Sequence, residues 1–254
     1  MILVAVVPTY NEVGNLERLA TALLRLDIPG IEIRLLVVDD ASTDGTGQLA
    51  DELARQAPER VRVLHRTGIR GLGSAYVEGF AHALADGADL IAQMDADLSH
   101  EPSVLAAMAN LSQDADLVLG SRYVSGGGVD AQWPWRRKLL SWLANRVVVP
   151  ALLSPPVADA TSGFRLWRRD ALVRIAPSVN VRSTSYGFQV EMTFLAHRLG
   201  FRIKEVPIYF RERESGRSKM SVPVALVAVR EILSIRRKTR LPDQQPSKAD
   251  GVST

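Results

Sequence analysis

No cysteine occurs in the 254 residues, so disulfides and thiolate metal sites are excluded and a reducing compartment fits. Histidine is nearly as scarce. His65, His82, His100 and His197 are scattered, and their spacing makes neither a metal ligand set nor a Ser–His–Asp array. The chain advertises no covalent nucleophile. Long apolar runs are also missing: none reaches the roughly 18–20 residues of a membrane span. The opening "MILVAVVPTYNE" has no basic lead and only a short apolar run, so it reads as a buried first strand and not as a signal peptide. A soluble or peripheral protein is expected. Large charge imbalance is absent too, since a formal net charge of +3 favours anionic partners only weakly. Nucleic acid fits poorly, because there is no aromatic-studded basic strand and no recognition motif.

What is present is an alternation. Apolar runs at Ile2–Pro8, Ile33–Asp40, Val61–Arg66 and Ala88–Asp95 read as strands buried on both faces, and Ala115–Tyr123 gives a fifth. Helical patterns at Leu16–Leu26, Thr46–Gln56, Gly73–Ala85 and Ser103–Asn110 separate the first four strands and follow the fourth. The fold class is therefore α/β, a mostly parallel sheet flanked by helices with right-handed crossovers. In such sheets functional loops collect at the carboxyl ends of strands, where "PTYNE", "DDASTDGT", "MDADLSH" and "GSRY" all fall.

Beyond Tyr123 a glycine-rich loop leads into "WPWRRKLLSWLANRVVVPALL", an amphipathic helix that Pro150 should interrupt or end. Arg137, Ser141 and Asn145 share one polar stripe, and Leu139, Trp142, Leu143 and Val147 an apolar one. Trp133, Trp135 and Trp142 near Arg136, Arg137 and Lys138 suit an interfacial helix; the competing reading is ordinary core packing. Residues 223–240 read as a basic amphipathic helix, and 241–254 as a polar, disordered tail.

Asp95 and Asp97, two residues apart at a strand end, would point to one face if the strand stayed extended, roughly 6–7 Å apart. A divalent cation bridging to a diphosphate suits that pair; a solvated turn or a phosphatase-type nucleophile and acid are the rivals. Asp39 ends the second strand and can accept bonds from a base or ribose. Asp40 lies beside it, and Asp44 reads more simply as a helix cap. Tyr10 offers a stacking face and Glu12 an acceptor. Gly71 and Gly73 open a helix without completing a dinucleotide fingerprint. Arg122, Arg137, Arg213, Arg217 and Lys219 together suit a site for more than one phosphate group.

The ordered series "PTYNE", "VVDDASTDGT", "GLGSAY", "MDADLSHEP", "GSRY", "TSGFR", "YGFQVEM" and "VPIYFRERESGRSKM" resembles the polyprenol- or dolichol-phosphate mannose synthases of glycosyltransferase family 2. The resemblance runs from about Val4 to Val222. It implies a GT-A fold over residues 1–222, a Mg²⁺ or Mn²⁺ cofactor, GDP-mannose as donor and a polyprenyl phosphate lipid as acceptor. Pro8, Tyr10, Glu12 and Asp39 would then hold the nucleoside. Asp95 and Asp97 would serve ribose, diphosphate and metal. Ser99, where some relatives have Gln, is an uncertain third metal ligand. Arg213 and Lys219 would hold the donor diphosphate, and Arg122, Arg137 and Ser141 the acceptor phosphate. Many relatives continue into transmembrane helices after the "SKM" motif, and a membrane-associating form without its own anchor is expected here. The resemblance thus implies an enzyme peripheral on the cytoplasmic face of a membrane, with an integral-membrane partner protein by analogy. A UDP-glucose donor and a non-catalytic nucleotide-sugar-binding scaffold are the alternatives.

Overall fold

The computed structural model describes residues 1–68, 71–178 and 185–211. Strand and helix alternate as the apolar runs require: β1 (Ile2–Thr9), α1 (Val13–Leu24), β2 (Glu32–Asp39), α2 (Thr46–Gln56), β3 (Val61–His65), α3 (Leu72–Ala85), β4 (Leu90–Gln93), α4 (Val104–Leu111) and β5 (Leu117–Ser121). Next come β6 (Gly128–Val129), α5 (Trp135–Leu143), a π-helical turn (Ala144–Val148) and α6 (Val149–Leu153). The remainder comprises β7 (Arg165–Arg168), α7 (Arg169–Ile175), α8 (Ser185–Arg198), β8 (Ile203–Pro207) and β9 (Tyr209–Phe210).

Seven strands form one sheet in the order β3-β2-β1-β4-β7-β5-β8, and β6 pairs with β9 in a separate ribbon. Within the large sheet only β7 runs antiparallel, wedged between β4 and β5. The sequence pattern does not announce β7, because "RLWR" begins and ends in arginine. Arg165 is nonetheless fully buried, with its guanidinium held by carbonyl groups. β3 also departs from expectation. It is the sheet's edge, paired with β2 alone, and is half exposed instead of buried on both faces.

Alternation along β1 feeds two cores. Leu3, Ala5 and Val7 pack with α1, α2 and α4 on one face; Val4 and Val6 pack with α3 and α8 on the other. Gly79 of α3 lies so close to β1 that a methyl group there would sit 2.4 Å from a Val6 methyl. β2 lies to one side of β1 and β4 to the other, so the strand order reverses there and opens a crevice at the carboxyl edge.

The helix after Tyr123 corrects two expectations. Pro150 neither ends nor breaks it, and the helix continues to Leu153. The carbonyl a proline ring would clash with belongs to Arg146, inside the widened π-helical turn, which makes room for the ring. The faces are also reversed relative to an ordinary surface helix. Ser141 and Asn145 point inward at 6% and 2% exposure, while Trp135, Leu139, Trp142 and Val147 point outward at 67%, 46%, 47% and 47%. Trp133 leaves the outward set: it is buried, with Arg137 over its ring at 3.6 Å and Phe210 edge-on at 5.4 Å.

Candidate active site

The first two strand-end loops are laced together. Asn11 donates its N–H to Ser42 Oγ and accepts the Thr43 N–H, both at 2.9 Å. Asp44 accepts the N–H of Thr46 at 3.0 Å and of Val13 at 3.2 Å, so it anchors the starts of both α1 and α2. That extends its expected cap role to a second helix. Asp39 is buried, accepts the Thr9 hydroxyl and the Ser42 N–H at 3.3 Å each, and so holds a fixed orientation beneath the loops. Tyr10 is exposed above them, and Pro8 sits near the end of β1. Glu12 accepts from the Asn15 side chain at 2.8 Å. Asp40 is structural, binding Arg66 at 2.5 Å and the Gly71 N–H at 2.8 Å. Arg66 also donates to Ser74 and Glu78 at 2.8 Å each, and these groups hold the third loop.

Asp95 and Asp97 lie past the end of β4, in an irregular turn and not on an extended strand, so the geometry expected from strand spacing does not apply. Asp97 is buried and accepts from Ser99 twice, from its N–H at 3.1 Å and its hydroxyl at 2.5 Å. Ser99 is fully buried and orients Asp97 through that hydroxyl. Asp95 accepts from Tyr76 at 3.2 Å and donates its N–H to His100 Nδ1 at 3.4 Å. Burial, and then the Asp95 charge, push the Tyr76 phenol well above its ordinary value, so it stays protonated and donates. Asn11, Ala41 and Leu98 have φ of +58°, +57° and +61°, and each follows the carboxyl end of β1, β2 or β4. Left-handed backbone at non-glycine residues in three adjacent loops is a concentration of strain at this edge.

No group of three His, Cys, Asp or Glu suited to a metal ion occurs among the described residues. Two carboxylates without a nitrogen or sulfur ligand fit a hard cation that keeps waters and takes phosphate oxygens.

A second cluster stands where β5 meets α5. Arg122 grips the fully buried Asp159 with Nε and Nη2, both at 2.7 Å, and with its backbone N–H at 3.0 Å. Burial pushes the Asp159 carboxyl up, but the Arg122 charge and hydrogen bonds outweigh it and hold it below the usual range. Thr161 accepts from Arg122 and from Asn145, each at 2.8 Å. Tyr123 donates to Ser141 at 2.7 Å. Phe210 lies under Arg122 at 5.6 Å and touches both Trp133 and His100 edge-on at 5.4 Å, so aromatic rings join this cluster to the Asp95 loop.

Pro8, Tyr10, Glu12, Asp39, Asp95 and Asp97 thus gather at one edge, and Arg122, Arg137 and Ser141 form the adjoining cluster. Arg213, Arg217, Lys219, the 223–240 helix and the tail lie outside the described residues. Arg211 pairs with Glu101 at 3.1 Å and donates its N–H to Ser99 at 3.3 Å, beside the carboxylate turn. Sequence reasoning missed Tyr76, Asp159 and Arg165. "GLGSAY" and "TSGFR" contained Tyr76 and Arg165, but nothing in their spacing gave them a partner.

Residues 4–175 match the glycosyl transferase family 2 family. A polyprenol monophosphomannose synthase of Mycolicibacterium smegmatis is 46% identical over 217 residues, covering 85% of this chain and 80% of that one. An undecaprenyl-phosphate mannosyltransferase of Micrococcus luteus is 47% identical over 221 residues, covering 87% and 88%. Among solved structures, mannosyl-3-phosphoglycerate synthase from Rubrobacter xylanophilus superposes with a TM-score of 0.68 at 17% identity, over 100% of this chain and 79% of that one. Glucosyl-3-phosphoglycerate synthase from Mycobacterium tuberculosis, crystallised with Mn²⁺, UDP-glucose and phosphoglyceric acid, gives 0.65 at 20% identity, over 96% and 81%. The two superpositions establish the GT-A fold. A carboxylate-bearing carboxyl edge on that fold, and a match over most of the length, make the chain a glycosyltransferase that belongs to glycosyl transferase family 2.

Proposed function

We propose that this enzyme transfers mannose from GDP-mannose to a polyprenyl phosphate, with inversion at the anomeric carbon. The observation that carries this reading is one helix with two faces. Its inner face places Ser141 in the arginine cluster beside the carboxylate turn, while its outer face presents Trp135, Leu139, Trp142 and Val147 to the surroundings. A lipid whose phosphate must reach a nucleotide-sugar site calls for that pairing. The names of the two bacterial relatives support the same acceptor class and sugar.

In this reading the acceptor phosphate is already an anion and needs no general base, which accounts for the scarcity of histidine and cysteine. Arg137 and Ser141 orient it, and Arg122 donates directed hydrogen bonds. Asp159 offsets the charge of Arg122, so the cradle does not bind on charge alone. Forming a phosphodiester removes the second negative charge of the monoester, which weakens the cradle's hold and favours product release. Tyr10 and Asp39 hold the nucleoside, with Pro8 and Glu12 beside them. Asp95 and Asp97 would hold a Mg²⁺ or Mn²⁺ ion, which when bound withdraws charge from the leaving diphosphate. Arg213 and Lys219 are proposed to act on the same diphosphate. The outer face, with Arg136 and Arg146 near it, rests on an anionic cytoplasmic membrane surface, where an integral-membrane partner has access.

The test is transfer of labelled mannose from GDP-mannose to a short polyprenyl phosphate in detergent, with Mg²⁺, Mn²⁺ and chelator arms and UDP-glucose in parallel. The proposal expects a β-linked mannolipid that chelator abolishes. A glucolipid would replace the donor, an α-linked product would end the single-displacement mechanism, and donor binding without any product would favour a scaffold.

A further inference from the structure

Among the described residues Arg165 is the largest charged side chain that is fully buried, and none of the roles above uses it. It sits on β7, opposite Gln93 of β4 and Leu119 of β5, in the middle of the sheet. Its guanidinium donates to three carbonyls: Nε to Ser162 at 2.9 Å, and Nη2 to Ala160 at 3.0 Å and to Gln189 of α8 at 2.7 Å. Nη1 finds no hydrogen-bond partner among the described residues, and no carboxylate there forms an ion pair with the group. Burial pushes Arg165 down to about 9, against the attraction of the Asp159 charge. A cation kept in such a place at that cost does more than fill space.

Two of the three carbonyls it gathers belong to the loop 160–163, and that loop touches both halves of the site. Thr161 accepts from Arg122 at 2.8 Å and donates to Asp159 at 3.2 Å, on the acceptor side. Gly163 backs Asp95 on the donor side, where a methyl group would lie 3.3 Å from Oδ2. The loop is thus a spacer of three residues, Thr161 to Gly163, between the acceptor arginine and the donor carboxylate. The planar guanidinium fork fixes it to α8, in a geometry that an ammonium group cannot reproduce.

We propose that Arg165 is a positioning residue for glycosyl transfer: by clamping the 160–163 loop it sets the separation between Asp95 and Arg122, and so between donor and attacking phosphate. This rests on the assignment of Asp95 to the donor and Arg122 to the acceptor. A misplacement of about 1 Å between reacting groups can cost on the order of 10²-fold in rate.

The test uses Arg165→Lys, which keeps the charge and loses the fork, alongside Thr161→Val and Gly163→Ala in the full chain. Steady-state constants are measured per folded enzyme, with GDP-mannose or UDP-glucose, whichever the wild type turns over. Mn²⁺-dependent donor binding is followed separately by calorimetry. The expected result is a kcat at least tenfold lower for Arg165→Lys with KM raised for both substrates. Thr161→Val should raise KM for lipid phosphate alone, and Gly163→Ala should weaken donor binding alone. Unchanged constants per folded molecule in Arg165→Lys would overturn the positioning role and leave a purely structural one. If Arg165→Lys does not fold, the other two variants decide: effects that do not divide between donor and acceptor would overturn the spacer. A wild type that turns over neither donor removes the functional reading and this role with it, which separates that failure from the failure of Arg165 alone.

Discussion

Asp159 shows how much one side chain can decide. Its carboxylate is fully buried, yet it is ionised because Arg122 meets it with two parallel hydrogen bonds. Asp159→Asn keeps the shape and strands a buried guanidinium, so it should cost about 3–5 kcal/mol in urea unfolding at neutral pH. The pH dependence has a definite sign. Because the folded carboxyl titrates below its usual 3.8, its contribution is complete at neutral pH and is lost as pH falls below that value. The gap between wild type and Asp159→Asn should therefore narrow as pH falls below that value; a gap with no pH dependence would show that shape and not charge was lost. Ser99 acts on a smaller scale. Ser99→Ala removes the hydroxyl bond to Asp97, and about tenfold more Mn²⁺ should be needed for half-maximal donor binding, since a hydrogen bond to a charged group contributes about 1.5–3 kcal/mol. The serine was legible in the sequence as a possible metal ligand, and in the fold its hydroxyl donates to Asp97. Neither Asp159 nor Arg165 could be read there, because a buried ion pair or carbonyl clamp depends on partners tens of residues away.

Among the elements, α5 with its π-helical turn was half legible. Four-residue spacing found the stripe of Arg137, Ser141 and Asn145 correctly, but spacing alone cannot say which stripe faces the protein. Here the polar one does, because Tyr123 and Thr161 provide hydrogen-bond partners beneath it. Trp135 and Trp142 are left outward, and replacing both with Glu should abolish co-flotation with anionic vesicles while leaving Tm within about 2 °C, as exposed positions contribute little to folding. Retained flotation would move the membrane contact elsewhere. α3 offers a contrast in which packing is the issue. Gly79→Ala drives a methyl group into Val6 and should cost about 1–3 kcal/mol through overpacking, measured as a lowered urea midpoint. A neutral result would mean that α3 can slide on the sheet.

For the molecule as a whole, the parallel order of β1 to β4 followed from uninterrupted apolar runs and regular helical spacers, so the edge carrying Asp39 and Asp95 was predictable. The other half of the sheet was not. β7 has too few apolar residues to be recognised, and β5 has no hydrogen-bonded neighbour that precedes it in the chain: it pairs with β7 and β8. That pairing imposes a schedule. As the chain leaves the ribosome, β3-β2-β1-β4 can assemble early from local crossovers, but β5 must wait until residues 165–168 arrive to bridge it to β4. Nascent chains halted before β7 should protect β1 and β2 from proteolysis while β5 is still cut, and protection of β5 should appear only once β7 has emerged. A carboxylate edge built early, and an Arg122 cluster that cannot exist until the sheet closes, would keep the half-made chain from carrying out the proposed transfer.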